Sequence, residues 1–259
     1  MSISLVLDIG HNQVRYGYAG DSNPRFTSPS YFGEWCEDSI QEGFGNLSQE
    51  EIKEKIKNQF IGDNPPKHIF GSMLGTKNPI YKYNSLFPLE KDILKTFFTE
   101  EVCLKFNEAN PKNQPLIVSE PSKQDQDYRE AVGSILENGL VSKIFIAKKA
   151  ALSLYSCGKA SGVVLEAGAR TTTISPLEDG YVLKDYVQET KFGGDIITDT
   201  IMEDLTFKNV ENDNIRIEDD DLPLYQESCL NYYKRIEAEN IKKKLFSLKN
   251  HEDSSYLSI

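Results

Sequence analysis

The chain is poor in everything that would mark it as secreted, membrane-bound or nucleic-acid-coating. Its 259 residues hold four cysteines, three histidines and one tryptophan. Cys36, Cys103, Cys157 and Cys229 are widely separated. A disulfide framework or a structural zinc site needs tighter clustering, so reduced and mostly buried thiols are expected. No apolar run approaches the roughly 20 residues of a membrane-spanning helix. The opening Met1 to Val6 has neither the basic start nor the apolar stretch of a secretory signal, so none is expected. Without that signal, the triplet Asn46-Leu47-Ser48 carries no weight as a glycosylation site. Basic charge is also short: 29 Lys and Arg face 40 Asp and Glu, a net charge of -11. Grip on a nucleic-acid backbone needs clustered cations, so no direct nucleic-acid contact is expected and no membrane contact either.

What remains is an ordinary globular composition, 39% hydrophobic and 27% charged, in a chain long enough for one large or two modest domains. Ser4 to Asp8 and Gln13 to Ala19 read as two strands joined by a tight turn at Gly10. Pro24 to Pro29 reads as loop, and residues 33 to 79 as a polar, peripheral insertion with a helix near Ser48 to Phe60. Leu86 to Phe106 shows helical spacing in Leu89, Ile93, Leu94, Phe97, Phe98 and Val102. Pro115 to Val118 and Lys143 to Ala147 are strand-like, each followed by a helix, Asp125 to Leu136 and Ala150 to Tyr155. That alternation predicts an α/β core with a parallel strand pair. Three strand-like runs follow at Gly162 to Glu166, Thr171 to Pro176 and Tyr181 to Val187, then helices at Gly194 to Leu205 and Leu222 to Leu248. The acidic run Glu218 to Asp221 reads as a solvated loop favouring the second helix's N-terminus.

An internal repeat gives the first chemical hint. Leu5-Val6-Leu7-Asp8-Ile9-Gly10 can be laid over Val163-Val164-Leu165-Glu166-Ala167-Gly168 at an offset of 158 residues. Each copy is an apolar strand ending in a carboxylate, one residue, a glycine and a polar turn. A glycine there lets backbone N–H groups approach an anion closely. A carboxylate at each strand end suits a hydrated metal ion bridging phosphates. One acid-x-Gly hairpin is an ordinary turn; two facing copies would grip a nucleotide from both sides.

At these residues the chain resembles the actin fold, shared by actins, actin-related proteins, sugar kinases and heat-shock ATPases. Asp8-Ile9-Gly10 through Val14-Arg15-Tyr16-Gly17-Tyr18-Ala19-Gly20-Asp21 is similar to the first phosphate hairpin of actins. Ala150 to Tyr155 with Gly158, Gly162 and Gly168, and Asp179 to Leu183, resemble the segments around the second. The resemblance runs from Ser4 to about Leu248, diverging between Phe32 and Pro79, and is nearest to the nuclear actin-related protein four group, judged by residues 14–20, Gly168-Ala169 and Gly194 to Thr198.

The fold implied is a duplicated, ribonuclease H-like α/β architecture with a nucleotide cleft and without its C-terminal portion. Residues 1–30 and 80–156 would form the first subdomain, 31–79 a small second, 157–193 the start of a third and 194–259 an incomplete helical fourth. The resemblance places ATP or ADP with magnesium against Asp8, Gly10, His11, Asn12, Gln13, Arg15, Gly168, Ala169, Arg170, Gly194, Lys242 and Lys243, with Asp8 and Glu166 toward the metal.

Several positions depart from the family's hydrolytic pattern. Glu166 and Ala169 stand where actins carry aspartates, and Lys149 where a glutamine helps place the attacking water. Thr173 replaces a histidine, His11 a serine and Lys243 a ribose-binding glutamate. Lys149 and Arg170 either hold a nucleotide that is not hydrolysed or fill an empty cleft; alone, Lys149 reads as a solvated lysine at a helix start. No catalytic residue is assigned. The implied role is a non-catalytic subunit of a nuclear chromatin remodelling or histone acetyltransferase complex. Its implied partners are actin and a long helix of a remodelling ATPase or scaffold. A cytoskeletal or axonemal subunit, in cytoplasm or cilium, and a working ATPase or sugar-kinase-like enzyme are the alternatives.

Overall fold

A computed structural model describes residues 4–35, 48, 66–71, 74, 81–106, 110–123, 125–205 and 227–245. The expected helix near Ser48 to Phe60, the acidic run Glu218 to Asp221, Cys36 and the Asn46 triplet lie outside the described residues, except for Ser48 itself.

β1 (Leu5–Ile9) and β2 (Gln13–Tyr18) form the expected antiparallel hairpin. Alternation explains it: Leu5, Leu7, Ile9, Val14 and Tyr16 are buried, as a strand pair with one face on a core requires. β3 (Phe26–Pro29), expected to be loop, is instead the edge strand on β2. Its Pro29 conceals it in sequence, although proline is tolerated at a sheet edge. β4 (Tyr31–Trp35), β5 (His68–Ile69) and β6 (Tyr81–Ser85) make a separate three-stranded sheet in the order β5-β4-β6.

The helix expected from Leu86 starts later. α1 is Lys91–Phe97, continued through a π-helical turn, Phe98–Val102, and a short α segment, Cys103–Lys105. Leu86 and Leu89 are buried from the extended stretch before it. The π turn carries Glu101 inward, where its Oε1 accepts hydrogen bonds from Tyr16 (2.9 Å) and Ser28 (2.7 Å).

β7 (Pro115–Glu120), α2 (Gln126–Glu137) and β8 (Lys143–Lys148) follow as expected. β7 pairs in parallel with both β1 and β8, giving a five-stranded sheet in the order β3-β2-β1-β7-β8. Asp125 caps α2 by accepting from the Tyr128 N–H at 3.1 Å. Tyr128, Ala131, Val132 and Ile135 then fall on one buried face. At the carboxyl end of β7, Glu120 accepts two hydrogen bonds from Arg129 of α2 (2.8 and 2.6 Å) and pairs with Lys148 of β8 at 3.1 Å.

α3 (Lys149–Ser156) leads to β9 (Gly162–Ala167) and β10 (Thr172–Glu178). The third expected run shrinks to β11 (Tyr181–Val182); a 3-10 turn, Lys184–Tyr186, takes the rest, and β12 (Gln188–Thr190) follows. β12, all polar and exposed, has no alternation by which sequence would reveal it. β10 pairs with β9 on one side and with β11 and β12 on the other. α4 (Gly194–Asp204) packs against α5 (Glu227–Leu245). The first half of α5 buries Cys229, Tyr232 and Tyr233 against Tyr81 and Tyr83 of the small sheet.

Among the described residues there is no disulfide, and no helix is long and apolar enough to cross a membrane. Cys157 is exposed, contrary to the expectation of mostly buried thiols, because it sits in the turn that ends α3.

Candidate functional site

The repeat seen in sequence is a repeat in geometry. In the first hairpin Leu5 pairs with Tyr18, Asp8 with Arg15 and Ile9 with Val14. In the second, Val163 pairs with Pro176, Glu166 with Thr173 and Ala167 with Thr172. Both turns close identically: Gly10 N–H donates to Gln13 O at 3.0 Å, and Gly168 N–H to Thr171 O at 2.9 Å. A Cβ on Gly10 would lie 2.9 Å from Gln13 O, and one on Gly168 3.1 Å from Thr171 O. A side chain at position 10 would force the first turn to shift, and one at 168 would require Thr171 O to give way slightly, so glycine suits both tips.

The two carboxylates have diverged. Asp8 faces three donors: Lys149 Nζ lies 2.9 Å from Oδ1, Arg15 3.6 Å from Oδ2, and Ser119 Oγ donates to it. Burial alone would raise its pKa, but Lys149, Ser119 and Arg15 outweigh burial and hold it below the ordinary aspartate value. Glu166 stands opposite Thr173, which carries no charge. Burial raises the Glu166 pKa and the Asp8 charge adds to this, while Lys149 opposes it.

Lys149 is therefore not a solvated helix-start lysine. As the first residue of α3 it reaches across the parallel sheet, and its ammonium also donates to Ile9 O at 3.0 Å. His11, at the first tip, stacks on Phe87 with ring centroids 4.0 Å apart. Burial lowers its pKa and the charges of Arg170 and Lys149 lower it further, with Asp195 opposing, so the imidazole is neutral at pH 7. The same influences show the second tip's Arg170 to be within electrostatic reach of the first. Arg170 Nε lies 3.8 Å from Asp195.

The second tip is clamped by α4, whose Gly194 and Asp195 N–H groups donate to Gly168 O (3.0 Å) and Ala169 O (2.7 Å). Sequence reasoning chose Gly194 and missed Gly193. A Cβ on Gly193 would collide with the Ala169 carbonyl, whereas one on Gly194 would meet Lys242 Nζ at an ordinary 3.5 Å. Gly193→Ala is expected to destabilise the fold by about 2 kcal/mol, with Gly194→Ala milder. Urea unfolding of the pair checks this, and equal midpoints would refute the close approach. The signal available in sequence was the Gly193-Gly194 doublet.

Lys242 is committed to protein partners: Glu239 Oε1 at 2.6 Å, Thr198 Oγ1 at 2.8 Å and Gly194 O at 3.3 Å. Lys243 instead lines a cavity of about 260 Å³ with Asn12, Gln13, Tyr31, Arg235 and Glu239, between the first hairpin and α5. Ser30 and Ser119 also went unrecognised in sequence. Ser30 donates through Oγ to Gly10 O and through its N–H to Asn12 O, bracing the first tip.

The arrangement suits a phosphate chain, with two open glycine tips and the cations of Lys149 and Arg170 beside them. It does not suit a magnesium ion on Asp8, whose carboxylate already holds an ammonium in contact. Among the described residues no group of three or more His, Cys, Asp and Glu could hold a metal.

Paired strand–turn–strand hairpins on two sheets, beside an α/β core, define an actin-type fold. The sequence profile of the actin family matches residues 2–255, and the chain belongs to that family. It is similar to proteins named Actin-related protein 4: 25% identical over 273 residues to that of Oryza sativa subsp. japonica, covering 92% of this chain and 59% of the relative. With that of Arabidopsis thaliana it is 26% identical over 280 residues, covering 99% and 63% respectively. The Emericella nidulans protein is 27% identical over 276 residues, covering 99% and 56%. The chain thus spans between 56% and 63% of these relatives' lengths. Membership of the actin family suggests binding of nucleotide and magnesium in general terms.

Proposed function

We propose that the chain is a nucleotide-holding, non-hydrolysing actin-related protein that serves as a structural subunit of a multiprotein assembly. The observation that carries this reading is the pairing of two intact glycine hairpins with an ammonium seated on Asp8. Hydrolysis needs an oriented water and a balanced set of metal and phosphate charges. Lys149 stands where the resemblance places the family's water-orienting glutamine, and an ammonium anchored on Asp8 has three donors and no acceptor with which to orient a water for attack. Binding of ATP or ADP needs only the hairpins and the surrounding cations.

The resemblance to the nuclear group extends the reading to a chromatin remodelling or histone acetyltransferase complex in the nucleus, with actin and a long scaffold helix as partners. Apolar side chains left outward support a role in assembly: Val163, Leu165, Ile174, Tyr181 and Phe192 are exposed in and next to the second sheet, and Leu245 is exposed at the end of α5. Leu165 and Ile174 are cross-strand neighbours, and adjacent exposed apolar side chains of this kind mark interaction sites when they form a patch.

Phosphate release tests the chemistry. Purified protein with ATP is expected to release phosphate no faster than buffer, and steady release that disappears in Asp8→Ala would overturn the non-hydrolysing reading. Affinity capture from nuclear extract, followed by identification of the captured chains, tests the assembly; recovery of filament proteins alone would favour the cytoskeletal alternative.

A further inference from the structure

The charge on Asp8 is already balanced by a cation tethered to the chain. Lys149 Nζ reaches Asp8 Oδ1 at 2.9 Å and Ile9 O at 3.0 Å from the first turn of α3. Its side chain is 24% exposed, so the lysine is partly desolvated without being sealed from solvent. The Ser119 hydroxyl donates to the same carboxylate, and Arg15 at 3.6 Å adds a second positive charge beside it. A divalent ion on Asp8 would lie in contact with the ammonium and would have to expel it. Magnesium demands near-ideal octahedral oxygen geometry and gives up its water reluctantly. A lysine is a compact point charge with three donors, well suited to phosphate oxygens.

We infer that Lys149 replaces the divalent metal in this chain, so that nucleotide phosphate is bound without magnesium. The inference rests on the nucleotide-binding reading above. In it, Asp8 serves as an anchor that orients the lysine rather than as a ligand to a hydrated ion. The ammonium presents its remaining hydrogen toward the phosphates between the Gly10 and Gly168 tips. Arg170, carried by the second tip, supplies charge from the opposite side. Because the cation is fixed by the fold, binding requires no ion from solution.

Calorimetric titration of the purified protein with ATP, in EDTA and in excess magnesium, tests this directly. The expected wild-type result is a Kd that differs less than threefold between the two conditions. Lys149→Gln is expected to weaken binding at least tenfold in EDTA and to regain affinity when magnesium is added, Asp8 being freed. Lys149→Arg, which keeps the charge, should still bind in EDTA. A wild-type Kd that tightens tenfold or more with magnesium would overturn the inference while leaving nucleotide binding standing. An unchanged Kd in Lys149→Gln would also overturn it. No binding under either condition would remove the nucleotide-binding reading and this inference together. The wild-type comparison decides the matter by itself if the glutamine variant does not fold.

Discussion

Valine in place of Gly10 should abolish the stabilisation that ATP gives the folded chain. A ligand that binds only the native state stabilises it by mass action, about 2.7 kcal/mol at a hundredfold excess over Kd. That gain depends on phosphates lying against the open face of a glycine turn. A side chain at position 10 starts 2.9 Å from the Gln13 carbonyl, so the turn must shift and its branched methyls cover the N–H face. Gly168→Val should act in the same way, because its turn repeats the geometry with Thr171 O at 3.1 Å. Melting curves with and without ATP check both variants. Each is expected to melt cooperatively and to show no shift, whereas the wild type shifts upward. A full shift in either variant would mean that the nucleotide does not sit on that tip, and an unmoved wild type would mean that the cleft is vestigial.

The second large effect concerns Glu120. Its side chain is 3% exposed and joins three elements, through the fork of Arg129 and the ammonium of Lys148. Removing one member of a buried ion pair strands the others, at about 3 kcal/mol; the lower end of the usual range applies because Arg129 is 38% exposed. Glu120→Gln keeps the shape and removes the charge, so urea unfolding at neutral pH should show a loss of this order.

The pH dependence has a defined sign. Burial would raise the Glu120 pKa, but hydrogen bonds and charge from Arg129 and Lys148 hold it below the ordinary 4.5. A lowered folded-state value means that the contribution is complete above about 4.5 and fades as pH falls through the folded-state pKa. The stability gap between wild type and Glu120→Gln should therefore close on acidification below that value. A gap that stays constant down to pH 3 would show that packing, rather than charge, accounts for the loss.

The parts of the fold that were legible are those whose sequence carries a period. Leu5, Leu7 and Ile9 alternate, Tyr128, Ala131, Val132 and Ile135 repeat at helical spacing, and the acid-x-Gly signature occurs twice, so both hairpins and α2 could be read directly. β3 and β12 escaped because edge strands need no buried alternation: the stretch ending at Pro29 reads as loop, and the polar Gln188-Glu189-Thr190 carries no pattern to assign. α1 was read too long because Leu86 and Leu89 happen to continue its spacing while being buried by extended backbone.

For the site, sequence reasoning identified residue types but not commitments. Lys149 could be marked as unusual, yet its contact with Asp8 runs from the end of β8 past β7 to β1, between residues far apart in sequence, and no local pattern encodes it. Lys242 looked available for a ligand and is instead tied to Glu239 and Thr198. Gly193 was overlooked because what demands a glycine there is the distant Ala169 carbonyl, not the local turn.

α5 has a mechanical consequence of its own. Nineteen residues make a rod roughly 28 Å long. One end is glued by Cys229, Tyr232 and Tyr233 to the small sheet, while Arg235, Glu239 and Lys242 bolt its middle and far end to α4. α4 in turn holds the Gly168 tip through two backbone hydrogen bonds. A tilt of roughly 5° about the near end would carry the far end through about 2 Å, comparable to the difference between a hydrogen bond and none. A displacement of the small sheet would therefore reach the second tip through α5 and α4, along a path of packed side chains, ion pairs and two backbone hydrogen bonds.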